Sequence, residues 1–268
     1  DGVSGLRSIN LSDPDSPVQS DIVACANQAK GVAISGDFAF VAAGGAGLQV
    51  INISNPLDMV DGGYFTNDGD LAYVGSVTIS GDALYLAESG SGVAVFNIAN
   101  PSLPVFVQHL ATGSWAQDVF STETHLFVLD GGMKIFDLTT PLAPSEVSFT
   151  PLSGSGLRVT SKADRAFVAC SDGLWIYGVG DPAEPLEIGH LDDWDSCKFA
   201  TSSASGDTVF VAAGIQGLYI LDATDPAEIE TIGSFDTIQA ALHILYSDGL
   251  IHMCTSGEGL KIYQIDPH

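Results

Sequence analysis

Basic residues are what this chain has least of. Three Arg and five Lys stand against 33 carboxylates, 25 of them Asp, for a formal charge of −25. A surface of that sign repels nucleic acid and anionic membranes, so polyanions are poor partners for it. Cysteine is scarce too: four occur in 268 residues and none belongs to a CxxC pair. A structural zinc site or a thioredoxin-type motif is therefore not expected. No run of roughly 18 apolar residues occurs, so no membrane insertion is expected. No secretory leader is visible, and the start at Asp1 reads as that of a trimmed mature chain. HExxH, a Walker loop, GxSxG and a complete GxGxxG are all missing. No stretch sustains helical periodicity.

What the chain does have is glycine, 30 residues of it, and a hydrophobic fraction of 46%, ample for a packed core. Its acids are scattered through turns rather than gathered in a tail, so they do not signal disorder. They read as a solubility adaptation to salty or extracellular surroundings, or as a surface that collects cations.

One segment recurs seven times. It reads GLRSINLSDP at Gly5, GLQVINISNP at Gly47, GVAVFNIANP at Gly92 and GMKIFDLTTP at Gly132. It continues as GLWIYGVGDP at Gly173, GLYILDATDP at Gly217 and GLKIYQIDP at Gly259. The copies lie 40 to 45 residues apart. Gly permits the turn into a strand, and the alternation Leu48, Val50, Asn52 is a period-two strand. The Asx-Pro pair ends it, because Pro has no amide to donate and Asx residues nucleate turns. A second short strand often follows, as in Val105-Phe106-Val107. Between these C and D strands and the next copy lies a hairpin, such as VAISGDFAFVAA from Val32 or VTISGDALYLAE from Val77. Its two strands, A and B, flank a tight turn. Four short strands in about 42 residues specify a propeller blade; a sandwich or a β-solenoid is the alternative. The chain thus reads as one all-β domain over residues 1–268.

The C-strand copies resemble the LVIVD repeat of bacterial and archaeal surface proteins, and the resemblance runs over essentially the whole chain. It implies a β-propeller at a cell surface and no particular activity. Gly178 and Gln264 depart from the Asn/Asp position of the repeat.

There are seven C strands but six A–B hairpins and six D strands. This count predicts a six-bladed β-propeller with four-stranded antiparallel blades, in which the N- and C-terminal segments jointly close the ring; seven blades is the alternative. The cysteines fall in step with it. Cys170 ends a B strand and Cys197 precedes the next A strand. Cys254 and Cys25 hold the same two positions if the last blade neighbours the first. Two disulfides, Cys170–Cys197 and Cys25–Cys254, are expected, and with them an extracellular, periplasmic or cell-surface home.

Propeller sites usually lie where D–A and B–C loops meet, which says where to look and no more. Trp115 and Trp194 fall in D–A loops, where an indole stacks a sugar or simply packs its loop. Asn67-Asp68-Gly69-Asp70 forms another such loop. Asp192, Asp193 and Asp195 are weak candidates for a calcium ion, without the spacing of a known calcium loop. Aligning the A strands yields a column of Gly31, Ser76, Asp118, Arg158 and His243, with Lys198 placed there in the fifth unit. Gathering Arg158, Lys198 and His243 in so acidic a chain points to a small anionic or carbohydrate ligand. Two functions follow: a binding or interaction propeller, whose partner is that ligand or another surface protein, or an enzyme of hydrolase or lyase class. In the second, His243 and Asp118 are the catalytic candidates while Arg158 and Lys198 hold the anion. No cofactor is predicted, calcium apart.

Overall fold

The computed structural model describes residues 2, 4–66, 73–192, 194 and 196–265. Among these residues every regular element is a strand, and no helix occurs that is long and apolar enough to cross a membrane. The fold is an all-β, six-bladed β-propeller. The first blade is β3(Gly31–Ser35), β4(Phe38–Ala42), β5(Leu48–Asn52) and β6(Val60–Phe65). The second is β7(Val74–Ser80), β8(Ala83–Glu88), β9(Gly92–Asn97) and β10(Val105–Leu110). The third is β11(Asp118–Ser121), β12(His125–Leu129), β13(Met133–Asp137) and β14(Ser145–Thr150). The fourth is β15(Gly156–Lys162), β16(Arg165–Cys170), β17(Gly173–Gly178) and β18(Leu186–Leu191). The fifth is β19(Phe199–Ser202), β20(Thr208–Ala212), β21(Leu218–Asp222) and β22(Glu230–Phe235). The sixth has three strands, β23(Ala241–Ser247), β24(Leu250–Thr255) and β25(Gly259–Gln264). The first five blades run A to D in chain order, and the sixth runs A to C.

The repeat chemistry accounts for these elements. In four blades the A–B loop has two residues, as the pairs Ser35↔Phe38, Ser80↔Ala83, Lys162↔Arg165 and Ser247↔Leu250 show. The first loop residue is left-handed: Gly36 and Gly81, but also Ala163 at φ 53° and Asp248 at φ 54°. At the head of strand C the glycine is required twice over. Gly92 and Gly217 have φ of 88° and 90°. A Cβ at either would overlap the carbonyl oxygen of Leu110 or Phe235 on the D strand. At the foot of strand C, the Asn52, Asn97, Asp137 and Asp222 carboxamides and carboxylates accept from the amides of Ser54, Ala99, Thr139 and Thr224 at 2.8–2.9 Å.

Packing separates two compact units, Asp1–Asp130 with Phe136–Glu146 and Gly131–Ile135 with Val147–His268. In the first, β8 is buried on both faces, which explains its unbroken apolar run. Leu84 and Leu86 pack with Phe40, Ala42, Leu48 and Val50, while Tyr85 and Ala87 pack with Val119, Leu126 and Val128. The Tyr85 hydroxyl donates to the Pro141 carbonyl at 2.7 Å. In the second unit, β20 does the same. Val209 and Val211 pack with Phe167, Ala169 and Ile176, while Phe210 and Ala212 pack with Ile244, Ile251 and Met253.

The terminal strands stand in two sheets rather than in one shared blade. β1(Leu6–Asn10) pairs with β2(Val18–Val23), and β25 pairs with β24. The β1–β2 pair packs on the first blade, with Val23 against Ala39, Val41, Ile51 and Met59. Ser8 Oγ donates to Pro56 O at 2.6 Å, and the Met59 amide donates to Asp21 at 2.6 Å.

Candidate functional site

Strand register decides which residues share the column seen in the sequence. Arg158 lies opposite Ala169 and His243 opposite Cys254. The equivalent partner in the fifth blade is Ala212, and it faces Phe199. Lys198 is therefore displaced from the column by one residue. It sits just before β19, its amide donating to Ala212 O at 2.8 Å and its aliphatic chain lying near Gly214. In the first unit the same register holds Gly31, Ser76 and Asp118 opposite Ala42, Ala87 and Leu129. Asp118 is 4% exposed and belongs to that unit, whereas Arg158 and His243 belong to the other.

Within the second unit, β15, β19 and β23 bring Arg158, Phe199 and His243 together. The His243 ring lies on Phe199 with centroids 3.8 Å apart. It is open to water, yet protein crowds around it, and that desolvation pushes its pKa down to about 4. The Arg158 charge adds to the same depression. His243 is thus uncharged at neutral pH. The half-buried Arg158 also donates to its neighbour Leu157 O at 3.2 Å. Cross-blade bonds hold this wall, including Thr160 Oγ1 to Ala200 O at 2.9 Å. The arrangement offers a guanidinium for a carboxylate or phosphate, and an imidazole with one donor and one acceptor.

The two loop tryptophans part company. Trp194 is 3% exposed and packs with Tyr219 at 5.1 Å between centroids, so it holds its loop and is no platform for a ligand. Trp115 is 67% exposed and lies over Gly90. Asp192 is exposed, Asp193 and Asp195 lie outside the described residues, and so does the loop Asn67-Asp68-Gly69-Asp70. No group of three potential metal ligands occurs among the described residues. All four cysteines are free thiols, so neither expected disulfide is formed. The Cys197 amide reaches Cys170 O at 3.2 Å, but its sulfur points at Phe199 O, 3.9 Å away. Burial raises both thiols, Cys170 to about 12.

One acid was missed. Glu88 ends β8 where other blades carry Ala43, Asp130, Cys170, Ala213 or Thr255. It is fully buried, and desolvation raises its pKa to about 7. His109 Nδ1 lies 3.1 Å from Oε2, yet neither oxygen has a well-directed hydrogen bond. An acid closing the run Ala-Leu-Tyr-Leu-Ala-Glu was the available signal. The equivalent Asp130 is satisfied differently, accepting from the Ser114 amide at 3.1 Å.

Comparison with known proteins agrees with the fold. The family model described as the LVIVD repeat matches residues 26–64, 72–112 and 202–237. No sequence among curated proteins matches the chain. Solved structures match well at low identity. A protein from Lactobacillus plantarum superposes with a TM-score of 0.85 at 13% identity, over 98% of this chain and 88% of its own. A provisionally named 6-phosphogluconolactonase from Bacteroides fragilis gives 0.81 at 10%, over 99% and 88%. BamB from Moraxella catarrhalis gives 0.66 at 14%, over 93% and 74%. At such identities the likeness is one of fold alone.

Proposed function

We propose that this β-propeller, which carries LVIVD repeats, is a binding protein for a small carboxylate- or phosphate-bearing ligand. The observation that carries the reading is an uncharged His243 lying on Phe199, with Arg158 near enough for its charge to act on the imidazole. Arg158 is one of eight basic residues in a chain of charge −25, so an anion meets repulsion almost everywhere else. The guanidinium supplies the charge and the forked donors; the neutral imidazole supplies a hydrogen bond without a second cation. Trp115, in the other unit, is a separate exposed surface suited to a sugar ring. The acidic composition supports an extracellular or cell-surface home; with the thiols free, the cysteines do not add to it.

Titration calorimetry at low ionic strength with sulfate, phosphate and citrate tests the reading. At least one should bind, and Arg158→Gln should weaken it tenfold or more. Equal binding by the variant, or none by the parent, refutes it. A catalytic reading draws on the same His243, which is unprotonated at neutral pH and so available as a base. The fold likeness suggests 6-phosphogluconolactone as the substrate to try. Turnover that is lost in His243→Asn would move the assignment to an enzyme.

A further inference from the structure

Counting its Gly as the first, the third residue of the C-strand repeat is large in six of the seven copies: Arg7, Gln49, Lys134, Trp175, Tyr219 and Lys261. In the second blade it is Ala94. A large side chain here covers the face of its own strand and meets strand D. Trp175 stacks on His190, its partner on β18, and Gln49 Nε2 donates to Asp61 at 3.2 Å. Ala94 is too short to reach its partner on β10, which is His109.

Glu88 takes that place. Ala94 pairs with Leu86 on one side and with His109 on the other, and Glu88 lies two residues on from Leu86. Glu88, Ala94 and His109 therefore share one face of the sheet. On that face strand C offers only Gly92 and Ala94, so the acid reaches across it and Oε2 comes 3.1 Å from His109 Nδ1. The two atoms are close without being aligned. Both Glu88 oxygens are buried and lack a hydrogen-bond partner, while His109 keeps a third of its side chain exposed. Phe106 holds the imidazole from one side, with ring centroids 4.9 Å apart. A further buried oxygen without a partner, Thr112 Oγ1, lies beside Gly92, the residue paired with Glu88.

A buried carboxylate facing an imidazole nitrogen is satisfied by a proton on the line between them or by a cation seated off that line. The misalignment favours the cation. Two donors held about 2.0–2.1 Å from one zinc, at angles from a right angle to tetrahedral, stand about 2.9–3.4 Å apart without pointing at each other. Glu88 and His109 have that spacing and that misdirection.

We propose that Glu88 and His109 form a binding site for a divalent transition-metal ion, zinc being the ion suited to one imidazole and one carboxylate. The two side chains are its protein ligands, and water fills the remaining positions, as in an open site rather than a structural one. The dication supplies the charge that a buried carboxylate otherwise lacks. A chain of charge −25 also draws divalent cations toward itself. The site shares no residue with the wall around Arg158, so each is tested without the other.

The test is a zinc titration of the chelator-treated full chain, followed by NMR of the imidazole nitrogens. His109 Nδ1 should shift and saturate. His190 is the internal control: it is also on strand D, 3.1 Å from the exposed carboxylate of Glu187, and should respond only at tenfold or more higher zinc. Glu88→Gln should bind at least tenfold more weakly at His109. At a hundredfold excess over its Kd, zinc should raise the melting temperature of the parent by roughly 5–10 °C and leave that of Glu88→Gln unmoved. A His109 Nδ1 signal that ignores saturating zinc would overturn the proposal and leave the pair as a structural contact. Equal binding by Glu88→Gln would overturn it as well, since the imidazole alone would then be holding the ion.

Discussion

Replacing Glu88 by Gln asks what a buried carboxyl costs this core. Glu88 is fully buried at the end of β8, and desolvation alone lifts its pKa from 4.5 to about 7. The sign follows from proton counting. Below about pH 4.5 the group is protonated in both the folded and the unfolded chain and has no effect. Between 4.5 and 7 the unfolded chain releases the proton while the folded chain keeps it, so stability falls as pH rises. Above 7 both states are ionised and the full penalty is present. At about 1.4 kcal/mol per unit of pKa difference, that penalty is about 3 kcal/mol. Gln keeps the shape and removes the charge, so the gap between Glu88→Gln and the parent should open by about 3 kcal/mol from pH 4 to pH 8. For a chain of this size each kcal/mol moves the melting temperature by roughly 2–4 °C. His109 is the other titrating group at the contact, 3.1 Å from Oε2, and burial lowers its pKa. Calorimetric melts of both proteins at constant ionic strength, from pH 4 to 8, make the measurement. Parallel curves would refute the reasoning, since they would mean that Glu88 is ionised throughout and that a proton on His109 compensates it.

Other expectations concern the repeat itself. Ala163 sits at φ 53° in a two-residue turn where other blades use Gly, so Ala163→Gly should stabilise the fold by about 1 kcal/mol in urea denaturation. Gly217→Ala should destabilise by about 2 kcal/mol or more, because the new Cβ meets the Phe235 carbonyl oxygen and φ is 90°. Tyr85→Phe should cost about 1–2 kcal/mol in the same assay, by leaving the Pro141 carbonyl without its donor. With 33 acids against eight bases, the melting temperature should rise as sodium chloride is added from near zero, and a flat curve would mean the acids are already compensated.

Local chemistry was legible in the sequence because it is carried by neighbours along the chain. The glycine that must be left-handed, the Asx residue that caps its own strand and the two-residue hairpin turn are all set within five residues, and each recurs at the repeat spacing. Counting those units was enough for the strand order, the blade type and the number of blades. The apolar runs of the B strands likewise announced strands buried on both faces.

The site was less legible, because it depends on register and on what lies across from each strand. A shift of one residue moves a side chain to another position on the sheet, and that shift puts Phe199 rather than Lys198 beside His243. Composition grouped His243 with Arg158 and Lys198; its crowded setting and Arg158 keep it neutral. Equal spacing of cysteines placed Cys170 and Cys197 near each other in the backbone, but the direction of a sulfur is settled by packing, and Cys197 turns toward Phe199 O. Trp115 and Trp194 are alike in sequence, and burial alone separates the exposed ring from the packed one. Val32 and Val77 are the same residue at the same repeat position. Only the folded chain shows that one is covered and the other bare, because what covers a blade is the blade before it.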